Sequence, residues 1–210
     1  MNLQNMNLSG ELFSKAQNAI SIDLEQDIYP YNDMERYLRN IFIRSKFIFS
    51  DVIKENENML LVVNIRKGVD EDCSIWQRVN YFNKFIRNKN IIKNAILIKL
   101  EDPLYDYDIE DGIETYRLII KCKINDLKIN KILKAIGNQD FCIEPSVNEE
   151  CFFINTERNL TFYMYDDRGV DIVGSNFRDI KELYDKYYNW VIEYIFNGEF
   201  KGLGQDKKDG

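Results

Sequence analysis

Apolar residues recur along this chain with two periods, and the change from one to the other marks its elements. Ile20-Ser21-Ile22-Asp23-Leu24 alternates apolar and polar, which predicts a short half-buried strand. Tyr29-Pro30-Tyr31-Asn32-Asp33 interrupts it: Pro30 disfavours helix at the residue before it, and Asn32 or Asp33 is placed to cap the next element. From Met34, apolar residues at Tyr37, Leu38, Ile41, Phe42, Ile48 and Phe49 fall at steps of three and four, predicting a helix with one buried stripe. Met59 to Ile65 is short and almost wholly apolar, the pattern of a central strand. Asp72 or Ser74 caps a second helix with a stripe of Ile75, Trp76, Val79, Phe82 and Ile86. Ala95 to Leu100 reads as a strand and Glu101 to Asp111 as an acidic loop without period. Thr115 to Lys123 reads as a strand covered on both sides, because Ile119 breaks the polarity of its second face. Asn125 or Asp126 opens a short helix with Ile129, Ile132, Leu133 and Ile136 inward, and Gly137 stops it.

After Pro145 the pattern is β. Cys151 to Asn155, Leu160 to Tyr165 and Val170 to Val173 form a three-stranded meander, with turns at Thr156–Asn159 and at Asp166-Asp167-Arg168-Gly169. Gly169 is expected to supply a positive φ there. One long helix then runs from Ser175-Asn176 to Asn197-Gly198, its stripe Phe177, Ile180, Leu183, Tyr184, Tyr187, Trp190, Val191, Tyr194 and Ile195. The expected fold class is α+β, a mixed, largely antiparallel sheet with helices packed on it and the meander plus long helix at its C-terminal end. Residues 10–200 are expected to form one domain, with 1–9 and 201–210 as flexible termini.

Composition bounds the classes. Of 210 residues, 45% are hydrophobic and 13% aromatic, enough for a real core. The net charge of −7 and pI near 4.9 argue against nucleic acid, whose phosphates need a dense Lys/Arg surface, and fit either the ordinary acidity that keeps a protein soluble or a basic protein partner, the first being the simpler reading. Cys73, Cys122, Cys142 and Cys151 show no C-x-x-C spacing, and the start lacks a basic and apolar leader pattern. The longest apolar run, Met59 to Val63, is too short for a bilayer. A cytoplasmic protein with reduced thiols and no membrane association is the expectation.

The chain has no histidine. Ser-His-Asp and Cys-His catalysis and His-ligated zinc are thereby removed, leaving carboxylates, Lys, Tyr, Cys or a carboxylate-held hard cation. Nucleotide-binding glycine loops and the serine-hydrolase elbow are absent, so no cofactor is expected. The acidic loop fails the EF-hand template, since its sixth position counted from Asp106 is Asp111 and its twelfth is Arg117. The remaining candidate is the turn Tyr165, Asp166, Asp167 and Arg168, joined by Asp171, Asn155, Tyr184, Tyr187 and Trp190. Asp166 and Asp167, with Glu149, Glu150 or Asp171, have the chemistry to hold Mg²⁺ or Mn²⁺. The simpler reading of the same residues is a structural corner, in which Asp bonds its own backbone and Arg168 pairs with a carboxylate.

Phe153-Ile154-Asn155, Tyr165-Asp166-Asp167-Arg168-Gly169-Val170-Asp171 and Leu183-Tyr184-Asp185-Lys186-Tyr187-Tyr188-Asn189-Trp190 occur in order. They resemble an uncharacterised bacterial domain family with an F-I-N strand, a Y-D-D-R-G-x-D turn and an L-Y-x-K-Y-x-x-W helix. Ile132 to Ile136 with Asp140 and Pro145, and the first helix with Arg44, are similar to it too. The resemblance runs from about Ile20 to Tyr194 and implies no established activity. Two functions remain as expectations: a binding or regulatory protein, including the immunity type that neutralises a partner, or a carboxylate- and metal-dependent hydrolase or transferase centred on Asp166-Asp167-Arg168.

Overall fold

The structure, a computed structural model, describes residues 8–26 and 29–202. Its strands are β1 (Ala19–Asp23), β2 (Met59–Gly68), β3 (Ile96–Lys99), β4 (Ile113–Cys122), β5 (Glu150–Asn155), β6 (Leu160–Met164), β7 (Gly169–Gly174), β8 (Val191–Phe196) and β9 (Glu199–Gly202). They form one nine-stranded sheet in the order β3-β4-β2-β5-β6-β7-β1-β8-β9. Every pairing in it is antiparallel. The helices are α1 (Met34–Val52), α2 (Ile75–Tyr81), α3 (Asp106–Glu110), α4 (Ile129–Gly137) and α5 (Phe177–Tyr187), so the fold is α+β. No helix among the described residues is long and apolar enough to cross a membrane.

Strand side chains alternate between two faces, and here both are covered. On the front, Ile20, Ile22, Leu61, Val63, Leu118, Phe153, Phe162 and Ile172 pack beneath α1, α4 and α5. Asp33 starts α1 by accepting from the Arg36 amide at 2.9 Å. Phe49 of α1 then meets Phe153 and Phe162 edge-on, each at 5.2 Å. On the back, Leu60, Val62, Ile119, Phe152 and Ile154 pack against Leu8 and Leu12. Arg117 is buried on this face, and a buried cation requires partners. Its Nε donates to Asn64 Oδ1 and its Nη2 to the Leu8 carbonyl, both at 2.9 Å. Asn64 in turn donates to Leu8 O and to Glu150 Oε2.

The structure departs from the periodicity in several places. The long C-terminal helix stops at Tyr187, and Val191, Tyr194 and Ile195 belong to β8. Val191, Ile192 and Ile195 are β-branched and favour the pleated surface that β1 offers. Asn197-Gly198 is a hairpin turn with φ of 52° and 82°, the left-handed pair that a two-residue turn between right-twisted strands requires. The second helix is short, capped by a reciprocal Ser74–Gln77 box, and continues as a 3₁₀ turn; Trp76 points outward, 62% exposed. The acidic loop contains α3, and α4 begins at Ile129 after a 3₁₀ turn over Ile124–Asp126. Leu8 and Ser9 are buried and Lys201 and Gly202 close β9, whereas 1–7 and 203–210 lie outside the described residues.

Candidate functional site

Between β6 and β7 the chain reverses over Tyr165 to Arg168, with the Tyr165 amide donating to the Gly169 carbonyl at 3.4 Å. Asp166 is buried and its partners are local. Oδ1 accepts from the Arg168 amide at 2.7 Å, and Oδ2 accepts from Arg168 Nε at 2.8 Å and from Nη2. Gly169 does not adopt a positive φ. Its requirement is space: a Cβ there would lie 2.5 Å from Tyr165 Cζ and 3.1 Å from the Ile22 carbonyl oxygen. Glycine is demanded by close approach, which corrects the expectation drawn from turn chemistry.

Asp167 turns inward and accepts a hydrogen bond from the Tyr37 hydroxyl of α1. The same hydroxyl lies 3.0 Å from Glu25 Oε1, and with one proton it serves one carboxylate at a time. Burial pushes the Asp167 carboxyl above the usual range; the Tyr37 bond opposes this and the charges of Asp166 and Asp140 add to it. Burial, and then Asp167 itself, push the Tyr37 phenol up. Asp140 sits on the 3₁₀ turn after α4, and the nearest carboxylate oxygens of Asp140, Asp166 and Asp167 all lie within 4.8 Å of one another. A cation at that point would compete for Asp166 with the Arg168 guanidinium, which lies at the surface.

The other expected members are dispersed. Asp171 faces the back of the sheet, opposite Ser21 of β1 and Tyr163 of β6. Its carboxyl is pushed up to about 7, chiefly by burial, with Glu193 adding and the Ser21 hydrogen bond opposing. Asn155 lies at the far end of the meander, where it donates to Val52 O and caps the next turn through the Glu157 and Arg158 amides. Tyr187 donates to Asp51 at the C-terminal end of α1, and hydrogen bonds from Lys186 and Tyr187 hold that carboxyl low despite its burial. Tyr184 packs on Tyr194 and Phe196. Trp190 connects to the corner indirectly. Arg44 lies over its ring and donates to the Leu24 and Glu25 carbonyls, while Leu24 donates its amide to Arg168 O.

A second acidic region was hidden by its division in the sequence. The turn at 69–72 and the connection 101–111 hold nine carboxylates and no Lys or Arg, a formal −9 against −7 for the whole chain. Everything else sums to +2. The two segments meet where the Val69 amide donates to Gly112 O at 3.2 Å. Eight of the nine carboxylates are exposed. The ninth, Asp108, is buried against Arg66, which also stacks 5.1 Å from the rings of Tyr105 and Tyr107 and so fixes α3. Among the exposed carboxylates stand three apolar side chains: Val69 at 64%, Tyr107 at 51% and Ile109 at 70% exposure.

A family model described as Domain of unknown function (DUF3885) matches residues 2–195. The chain belongs to this family. It is also similar to the Uncharacterized protein YnaE of Bacillus subtilis (strain 168), 27% identical over 201 residues that cover 91% of this chain and 93% of that one. No solved structure matches. The DUF3885 match takes in the Tyr165–Gly169 corner and both acidic segments, and ends within β8, before the Asn197-Gly198 turn.

Sequence reasoning missed Tyr37, Glu25 and Asp140 at the corner, because their meeting is tertiary. It missed the joined acidic segments too, although one signal was available: each lacks any cation and carries an apolar residue that no period explains.

Proposed function

We propose that this chain is a cytoplasmic binding protein whose paired acidic segments take a cationic surface of a partner protein. The observation that carries the reading is the −9 concentrated around exposed Val69, Tyr107 and Ile109. Charge alone steers an encounter, and apolar side chains give it residence; a specific interface uses both. An immunity-type neutraliser, covering a basic site on its target, is the form this chemistry suits. The same charge disfavours nucleic acid. Cys122 and Cys151 are buried free thiols, and burial pushes both up, Cys122 to about 12, which makes these two poor nucleophiles.

Affinity capture from native lysate tests this. Wild type should retain a specific partner that elutes with salt, and a variant carrying Ile109→Ser, Glu110→Gln and Asp111→Asn should not. Undiminished capture by that variant would sink the proposal.

A second reading, a metal-dependent hydrolase or transferase at the corner, is favoured by the convergence of Asp140, Asp166 and Asp167. It expects millimolar Mn²⁺, Mg²⁺ or Ca²⁺ to raise the melting temperature and Asp167→Asn to abolish the shift. Both carboxylate oxygens of Asp166 are already engaged by Arg168, which places this reading second.

A further inference from the structure

We infer that the groove between α1 and α4 is a separate docking surface, one that takes an acidic amphipathic helix of a partner protein. It does not rest on the reading of the acidic segments. α1 is apolar around more of its circumference than the sheet covers. Tyr37, Ile41, Ile48, Phe49 and Val52 are buried inward, yet Ile43 is 38% and Phe47 63% exposed, one turn apart on the outer side. Beside them runs a groove of about 620 Å³, floored by Leu38 and Phe42 of α1 and Leu133 of α4. It continues past Arg36 into a second hollow of about 490 Å³.

Charge selects the occupant. The groove and the hollow it continues into are lined by Arg36, Arg39 and Lys134 against Asp33 and Glu35, a net positive lining in a chain of −7. Arg39 and Lys134 line the groove from opposite helices, and neither forms an ion pair among the described residues. Lys134 Nζ lies 4.7 Å from the Phe42 ring centroid, a cation held directly over the apolar floor. The matching ligand presents apolar side chains to Leu38, Phe42 and Ile43 and carboxylates to Arg39 and Lys134. Both walls are helices whose backbone bonds are internal, so no strand edge is available to extend. A helical ridge seated in the groove is the geometry that fits.

Fluorescence anisotropy with two labelled peptides tests this. Each is a helix of about four turns with leucines at i, i+3, i+4 and i+7; one fills the flanks with Glu, the other with Lys. The Glu peptide should bind the full chain about tenfold tighter than the Lys peptide, and Arg39→Glu with Lys134→Glu should reverse that preference. Ile43→Ser with Phe47→Ser, at exposed positions, should weaken the Glu peptide without changing the fold, and Ile109→Ser should leave it unaffected. No binding of the Glu peptide, equal binding of both, or insensitivity to all groove substitutions would overturn the inference. So would concentration-dependent self-association abolished by Arg39→Glu and Lys134→Glu, which would give the groove to a second copy of the chain.

Discussion

The Tyr165–Gly169 corner and the paired segments 69–72 and 101–111 are both rich in carboxylates, and the two regions use them in opposite ways. At the corner Asp166 is closed on Arg168 two residues away, Asp167 is closed on Tyr37, and Gly169 leaves no room for a side chain. In the paired segments Asp108 turns inward to Arg66 and Glu71 pairs with Arg78 at the surface, while all eight carboxylates other than Asp108 stay exposed. A carboxylate with every oxygen engaged specifies geometry. One held out in solvent beside exposed Ile109 and Tyr107 contributes little to folding and is free to meet a partner. The contrast gives the corner to stability and the segments to recognition.

The largest effect that sharpens this division concerns Asp171, on the buried back of β7. The fold disfavours its ionised form, so the native state keeps the proton up to about pH 7, while the unfolded chain releases it near 3.8. This group's contribution is therefore complete below pH 4, declines as pH rises to 7 and is flat above, a span of roughly 4 kcal/mol. Asp171→Asn should flatten that profile and raise the melting temperature at pH 8; urea unfolding across pH measures it, and an unchanged slope would show that Asp171 is already ionised. Next, Gly169→Val should cost about 3 kcal/mol or more by overpacking against Tyr165, and Tyr165→Ala should recover part of it. Additive losses in that double variant would separate the two residues. Tyr37→Phe leaves Asp167 buried without its donor and should cost about 1–3 kcal/mol in denaturant titration. Smallest, Ile109→Ser or Glu110→Gln should shift stability by no more than about 0.5 kcal/mol. A larger loss there would make the segments structural and erase the contrast.

Much of this was legible in the chain. The meander, α1 with its Asp33 cap and the doubly covered β4 follow from period, cap and turn chemistry, which are local properties. The aromatic stripe through Trp190 and Tyr194 misled because its apolar spacing satisfies a helix while its β-branched residues satisfy a strand. Only the vacant place beside β1 decides between them. Gly169 was singled out correctly, but through φ, since the Tyr165 ring that actually requires it is visible only in three dimensions. The nine corner candidates came apart for a simple reason. Asn155 and Asp167 sit at opposite ends of one meander, and adjacency in a motif says nothing about which end of a strand a residue occupies.

The place of β1 has a consequence for how the molecule is made. The first strand of the chain lies inside the sheet, between β7 and β8, so both its neighbours are drawn from the last fifth of the sequence. While the polypeptide is still being synthesised, β2, β4, β5 and β6 can assemble as they emerge, but Ala19–Asp23 has to wait unpaired for residues 169–196. Closure of the sheet is a late, non-local event that carries a large loop entropy, and a nascent chain halted before β7 presents Ile20 and Ile22 as a bare strand for other chains to seize.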